Sequence, residues 1–349
     1  MDKKKSEAPQ KREIWTDNIK IFACVLVVLG HFFQSMIKSE ILPDSGLYQW
    51  FNQTIYYFHV PLFFICSGYL YQKNSCINSF SAWKNNALKK ALALCIPYFV
   101  FSLITWSLKT LFSGAVNNEV SGLFHSLFIE PIAPYWYLYC LFFIFLVTPT
   151  FSTNGMAVIG LAIALTAKAI GIWGENISVY AVSQVFANEI WFVLGMCFGV
   201  FNIIKFSKSK TYAVTGVSLA IVFLGVSIWK FEQNINFKGF DFLLGLAACA
   251  SVVLLFSFIF QRNIRQKFLC FLSQYTMPIF LMHTIFAAPL RSILLKFGIV
   301  NAGIHITIGL FASFGGPIVA AMVMHRFKWL DFLIYPGNHI KFKKTRTQQ

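Results

Sequence analysis

The sequence predicts an all-α, polytopic membrane protein with about ten transmembrane helices and both termini on the cytoplasmic side. Three observations carry that prediction. First, 57% of the 349 residues are apolar and only 12% are charged, with Phe alone at 40 positions. Soluble domains run near about 25% charged, and a water-soluble fold has too little polar surface to cover so much ring and aliphatic area, whereas lipid solvates it. Second, a bilayer-spanning helix needs about 20 mostly apolar residues, and such runs fall near 18–37, 52–71, 91–111, 133–149, 155–173, 189–204, 211–229, 238–260, 274–295 and 302–325. Third, with the N-terminus placed inside, 21 basic residues fall on inside pieces and six outside, the six being Lys38, Lys109, Lys230, Lys238, Arg291 and Lys296. Basic residues hold loops on the cytoplasmic side, so this asymmetry sets the orientation.

Taken in order, residues 1–17 form a basic cytoplasmic N-terminus, 18–326 a transmembrane domain and 327–349 a cytoplasmic basic tail. The end of that tail, GNHIKFKKTRTQQ, is expected to be disordered beside anionic head groups. The first span is too long and too polar for a cleaved signal peptide. The fourth and sixth runs are short, and the 112–132 loop holds a moderately apolar piece, GLFHSLFIEP, expected to be re-entrant or interfacial. The formal charge of +16 serves loop anchoring rather than nucleic acid. The eight cysteines are scattered without a CxxC pair, which points neither to a disulfide framework nor to a zinc site. No metal and no tightly bound cofactor is expected.

Ionisable groups inside spans are costly and mark functional sites. Asp17 and Lys20 sit at the inner end of the first span and His31 towards its outer half. Lys20 and His31 are 11 residues apart, about three turns and roughly 16 Å on one stripe; Asp17, three residues before Lys20, is placed to pair with it. His59 precedes Pro61 in the second span, in the outer part of the bilayer with His31, and that proline frees a backbone carbonyl needing another partner. Ser67 and Gly68 near its inner end allow close backbone approach. His283 follows Pro278 in the ninth span, and His305 lies in the tenth. Lys168 lies near enough to an outer end to snorkel. Trp136, Tyr137 and Tyr139 read first as an interfacial belt and second as a platform for a sugar ring. The histidines lack an i, i+4 pair or a Cys or acid cluster that would indicate metal.

The segments REIWTDNIKIFACVLVVLGHF (12–32), FHVPLFFICSGYLY (58–71), PYWYLYCLFF (134–143), IWFVLGMCFG (190–199), SQYTMPIFLMH (273–283) and FKWLDFLIYPG (327–337) carry a resemblance. In that order the chain resembles the membrane-bound acyltransferase 3 family, in particular its fucose 4-O-acetylase-like branch. The resemblance implies a ten-helix, acyl-CoA-dependent O-acyltransferase of the bacterial cytoplasmic membrane that acetylates an envelope glycan or lipid-linked sugar. The family's basic residue, ten intervening residues and histidine correspond to Lys20 and His31, with lysine where arginine is usual. Lysine keeps the charge and loses the bidentate fork that suits phosphate. The family's FFxxSG pattern corresponds to Phe63, Phe64, Ser67 and Gly68, and its late histidine to His283.

On this reading the acetyl-CoA head stays at the cytosolic mouth by Lys20, which Asp17 orients, and the thioester reaches His31. His31 takes the proton of the acceptor hydroxyl, or is itself acylated in a relay, and His59 helps to bind or orient beside it. The rival class is a transporter or flippase for a small solute or lipid-linked sugar. It is disfavoured by the absence of a visible inverted repeat.

Overall fold

A computed structural model describes residues 13–112, 121–174, 177–206, 209–260 and 266–340. The basic residues counted inside at 3–12, 208, 262–265 and 341–346, and the loop acids Glu119 and Glu175, lie outside the described residues. The described chain is helical: α1 (Ile14–Lys38), α2 (Gly46–Tyr56), α3 (His59–Asn74), α4 (Phe80–Lys90), α5 (Ile96–Leu111), α6 (Trp136–Val147) and α7 (Asn154–Trp173). There follow α8 (Tyr180–Val200), α9 (Lys210–Glu232), α10 (Phe240–Ile259), α11 (Lys267–Lys296), α12 (Ala302–Met324), α13 (Lys328–Ile334) and α14 (Pro336–His339). Among the described residues eight helices are long and apolar enough to cross a membrane. The remaining two of the ten apolar runs form the 16-residue α3 and the 12-residue α6.

Several runs depart from their expected limits; the sixth begins nine residues earlier, at Tyr180, and the ninth seven residues earlier, at Lys267. The second is two helices, α2 and α3, because Pro61 has no N–H to bond back to Tyr57; the helix ends and restarts with Pro61 in its first turn, where proline is tolerated. The third continues backwards as one 32-residue helix, Phe80–Leu111, through a π-helical turn at Ala91–Cys95 just before Pro97. Lys84, Lys89 and Lys90 are part of this helix and not a loop. The short fourth run is bracketed by Pro134 and Pro149, which bias their predecessors away from helix.

Helix α1 lies at the centre, with Ile19, Ala23 and Val28 fully buried, and packs against α3 and α11. The closest helix contact is between α3 and α8. A Cβ on Gly68 would stand 1.9 Å from the Phe192 carbonyl oxygen, and one on Gly195 would stand 2.0 Å from that of Ile65. Paired glycines let the two backbones touch, which is how helices associate where lipid removes the hydrophobic driving force. Outward faces carry Ile159, Ile163, Val214, Ile221, Phe311 and Val319, all exposed and apolar, as a lipid boundary requires.

The segment expected as a basic tail folds back on the bundle through residue 340. Asp331, buried, bridges His325 and His339, and the Tyr335 hydroxyl donates to the Gln274 carbonyl at 2.7 Å. A shielded carboxylate between two imidazoles orders residues that composition alone marks as loose.

Candidate functional site

Helices α1, α5 and α11 end side by side, and the space between their C-terminal turns is a cavity of about 340 Å³ with His31 at its inner end. Lys38, Lys109, Arg291 and Lys296 line it, as do Thr284 and Ser35. A smaller cavity of about 50 Å³ adjoins it behind His31, between His283 and His305. His31, Arg291 and Thr284 line both. Thr284, Ala288 and Arg291 follow one another at i, i+4 and i+7 on α11, the spacing that keeps a single helix face toward the cavity.

The His31 and His283 rings lie 5.5 Å apart between centroids, tilted by 38°. His283 is anchored by Nδ1, which is 3.0 Å from both the Ile279 and Phe280 carbonyl oxygens. A carbonyl only accepts, so Nδ1 carries the hydrogen and Nε2 presents a lone pair. That Nε2 is buried without a hydrogen-bond partner. His305 is held the opposite way, donating from Nε2 to the Ile299 carbonyl at 2.7 Å, which leaves Nδ1 as its acceptor. Both tautomers are thus dictated by backbone carbonyls, and the site offers imidazole lone pairs beside His31. Among the described residues no group of three His, Cys, Asp or Glu side chains has the arrangement of a metal site.

Of the residues singled out in the sequence, the structure brings together His31 and His283. His59 lines neither cavity. Its Nδ1–H reaches the Ile55 carbonyl at 2.5 Å across the α2–α3 break, and its ring packs edge-on to Tyr56. That carbonyl also accepts from the Phe58 N–H at 3.2 Å, so His59 adds a side-chain bond at the C-terminal turn of α2. Lys20 and Asp17 stand near Cys66 of α3, and Lys20 lies within Coulombic range of Lys90, at the end of α1 opposite to the cavity. There Lys73 pairs with Glu13, and Lys90 lies 3.9 Å above the Phe145 ring. Ser67 shares a 3.3 Å hydrogen bond with the Tyr137 hydroxyl, and Gly68 is filled by the α8 backbone. Trp136 is half-buried against the core and lines neither cavity. Tyr137 is buried among Phe63, Phe64 and Phe280, so the aromatic run at 134–139 is largely interior and not a belt. Lys168 does not snorkel freely; it donates to the Ala187 carbonyl at 2.9 Å.

Residues missed in the sequence are Tyr135 and the cavity cations. Fully buried Tyr135 donates to the Leu281 carbonyl at 2.9 Å and accepts from Thr105 at 2.8 Å, tying α5 to α11 two residues before His283. Arg291 counts in the sequence only as an outer-loop charge, although it sits within a 30-residue helix.

These features define a multi-pass membrane protein with a histidine pair, His283 buried and His31 half-buried, at the base of a basic vestibule. Residues 13–322 match the model of the family described as "Acyltransferase domain", and the chain belongs to that family, acyltransferase 3. It is similar to the nodulation protein NolL of Mesorhizobium japonicum, 27% identical over 142 residues, which cover 41% of this chain and 36% of that protein. It is likewise similar to NolL of Sinorhizobium fredii, 29% identical over 147 residues, covering 42% and 38%. The chain therefore spans less than two fifths of the length of these curated relatives. No solved structure matches it.

Proposed function

We propose that the protein is an acyl-CoA-dependent O-acyltransferase of the bacterial cytoplasmic membrane, moving an acetyl group from cytoplasmic acetyl-CoA to a hydroxyl of an envelope glycan or lipid-linked sugar. The observation that carries this reading is the His31–His283 pair, set in the membrane between the Lys20 end of α1 and the vestibule. Membership of the acyltransferase family supports the reaction type.

In the reaction the acceptor hydroxyl stands in the vestibule against His31. An imidazole nitrogen of His31 takes its proton as the oxygen attacks the thioester carbonyl; the C–S bond breaks, and the thiolate leaving group recovers the proton. His283, whose Nε2 is fixed as an acceptor, receives the other N–H of His31 after a small ring rotation and steadies the imidazolium. Lys20 and Lys90 hold the anionic head of the donor at the far end of α1, roughly 16 Å from His31 by helical rise, a distance suited to the pantetheine arm.

The test is transfer of labelled acetyl from acetyl-CoA to the lipid and glycan fractions of membranes bearing wild type or His31→Ala at equal expression. Label is expected with the wild type and a loss of about 10²–10⁴-fold with the variant, the usual worth of a general base. Equal labelling would remove His31 from the chemistry.

A further inference from the structure

The chemical character of the vestibule goes further than acyl transfer requires. Its charged lining residues are Lys38, Lys109, Arg291 and Lys296, with no carboxylate among them. Helix ends account for part of this. Lys38, Lys109 and Lys296 each lie in the last turn of their helix, where a cation complements the exposed carbonyls. That explanation does not reach Arg291, which lies more than one turn before the end of α11 and is 9% exposed. Among the described residues no carboxylate pairs with it. A buried guanidinium beside the ammonium groups of Lys109 and Lys296 carries a cost of desolvation and of like-charge repulsion together. Lys230 shows the contrast: that buried cation is neutralised by Asp241 at 3.0 Å.

We propose that the vestibule recognises an anionic acceptor, whose phosphoryl or carboxylate oxygens are held by Arg291 and by Lys109 and Lys296 while a nearby hydroxyl reaches His31. This rests on the acyltransferase reading and names its substrate class. Geometry fits it: Thr284, which lines both cavities with His31, and Arg291 are seven residues apart on α11, two turns or about 10 Å, so charge and hydroxyl are separated by about the length of one sugar and its linkage. Arg291 supplies a planar fork for paired oxygens, and the lysines at the rim draw an anion in from the surface.

The experiment uses the full-length chain purified in uncharged detergent. Binding is measured for geranylgeranyl diphosphate and for trigalacturonate, each against a neutral counterpart, geranylgeraniol and maltotriose, and for phosphatidylglycerol. Acetyl-CoA affinity is measured on the same samples. An anionic probe is expected to bind at least tenfold more tightly than its neutral counterpart. That preference should fall tenfold or more in the double variant Lys109→Gln, Lys296→Gln, whose sites are accessible enough to leave folding intact, with acetyl-CoA affinity unchanged. Arg291→Lys should retain part of the binding that Arg291→Gln loses. Preference for the diphosphate assigns a lipid-linked acceptor, and preference for the trigalacturonate an acidic glycan. No preference for either, equal binding of phosphatidylglycerol, or a parallel loss of acetyl-CoA affinity in the double variant would overturn the proposal. His31→Ala should bind the anionic probe as wild type does. Loss of anion preference with acetyl transfer intact would sink the anionic acceptor alone, whereas intact preference without any acetyl transfer by wild type would sink the enzyme reading on which the word acceptor rests.

Discussion

Two imidazoles 5.5 Å apart in a membrane interior have their roles separated by what holds each ring. His283 spends its Nδ1–H on two carbonyls of its own helix, so its remaining function is to accept at Nε2. His283→Asn is an informative substitution, because the Asn amide retains a donor for Ile279 and removes the Nε2 acceptor. We expect kcat to fall about 10–100-fold, less than the 10²–10⁴-fold loss for His31→Ala, with KM for acetyl-CoA little changed. The acid limb of the kcat pH profile should also move, since the base has lost its partner. A profile that keeps its midpoint while the amount of folded protein drops would make His283 a packing residue. Both histidines are legible in the sequence because an ionisable group inside an apolar run is conspicuous. The tautomers are not, because they depend on which carbonyls the folded helix presents. Arg291 is hidden for a related reason: a charge close to an apparent span end looks like a loop residue until α11 is seen to continue past it to Lys296.

Helices in this bundle are positioned by backbone contacts that composition alone does not disclose. Its motif places Gly68 with the donor-binding residues, yet the space of its missing side chain is occupied by the Phe192 carbonyl, with Gly195 and Ile65 completing the reciprocal contact. Gly68→Ala forces the α3 and α8 backbones apart, and overpacking of this kind costs about 1–3 kcal/mol. The expected result is a lower melting temperature and a smaller monodisperse fraction after solubilisation. Gly225→Ala in α9 is the matched control, since a Cβ there meets nothing within 4 Å and alanine is the better helix former. Equal melting temperatures for Gly68→Ala and wild type would show that the contact yields cheaply and would return Gly68 to a ligand role. The α2–α3 break carries the same lesson: Pro61 announces a disturbed helix, but the bond from His59 back to the Ile55 carbonyl at the end of α2 emerges only from the fold. A second element-scale prediction concerns α13 and α14, which Asp331 ties down through His325 and His339. Asp331→Asn should raise hydrogen exchange across 328–340 while the α1–α11 core stays protected; unchanged exchange would mean that the Tyr335–Gln274 contact suffices.

At the scale of the whole molecule, the ordering of charge along the membrane normal links topology to function. The Glu13–Lys73 ion pair puts the 75–79 turn beside the start of α1, the end that also carries Lys20, Lys84, Lys89 and Lys90. The vestibule cations lie at the other end of α1, together with the 297–301 turn that follows α11. On the proposed reading, the basic excess among the loops puts the first end in the cytoplasm, and the donor's head and the acceptor's mouth would then lie on opposite faces, as transfer from a cytoplasmic thioester to an envelope acceptor requires. Two exposed positions test this directly. Cys76 is a native, exposed thiol in the 75–79 turn, and Val300, 71% exposed, lies in the opposite turn. With the other native cysteines replaced, an impermeant maleimide applied to intact spheroplasts should label Val300→Cys at once and Cys76 only after permeabilisation. The reverse pattern would put the vestibule in the cytoplasm. Its four cations would then face the phosphates of the acyl-CoA head, and the two ends of α1 would exchange their roles while His31 and His283 kept theirs.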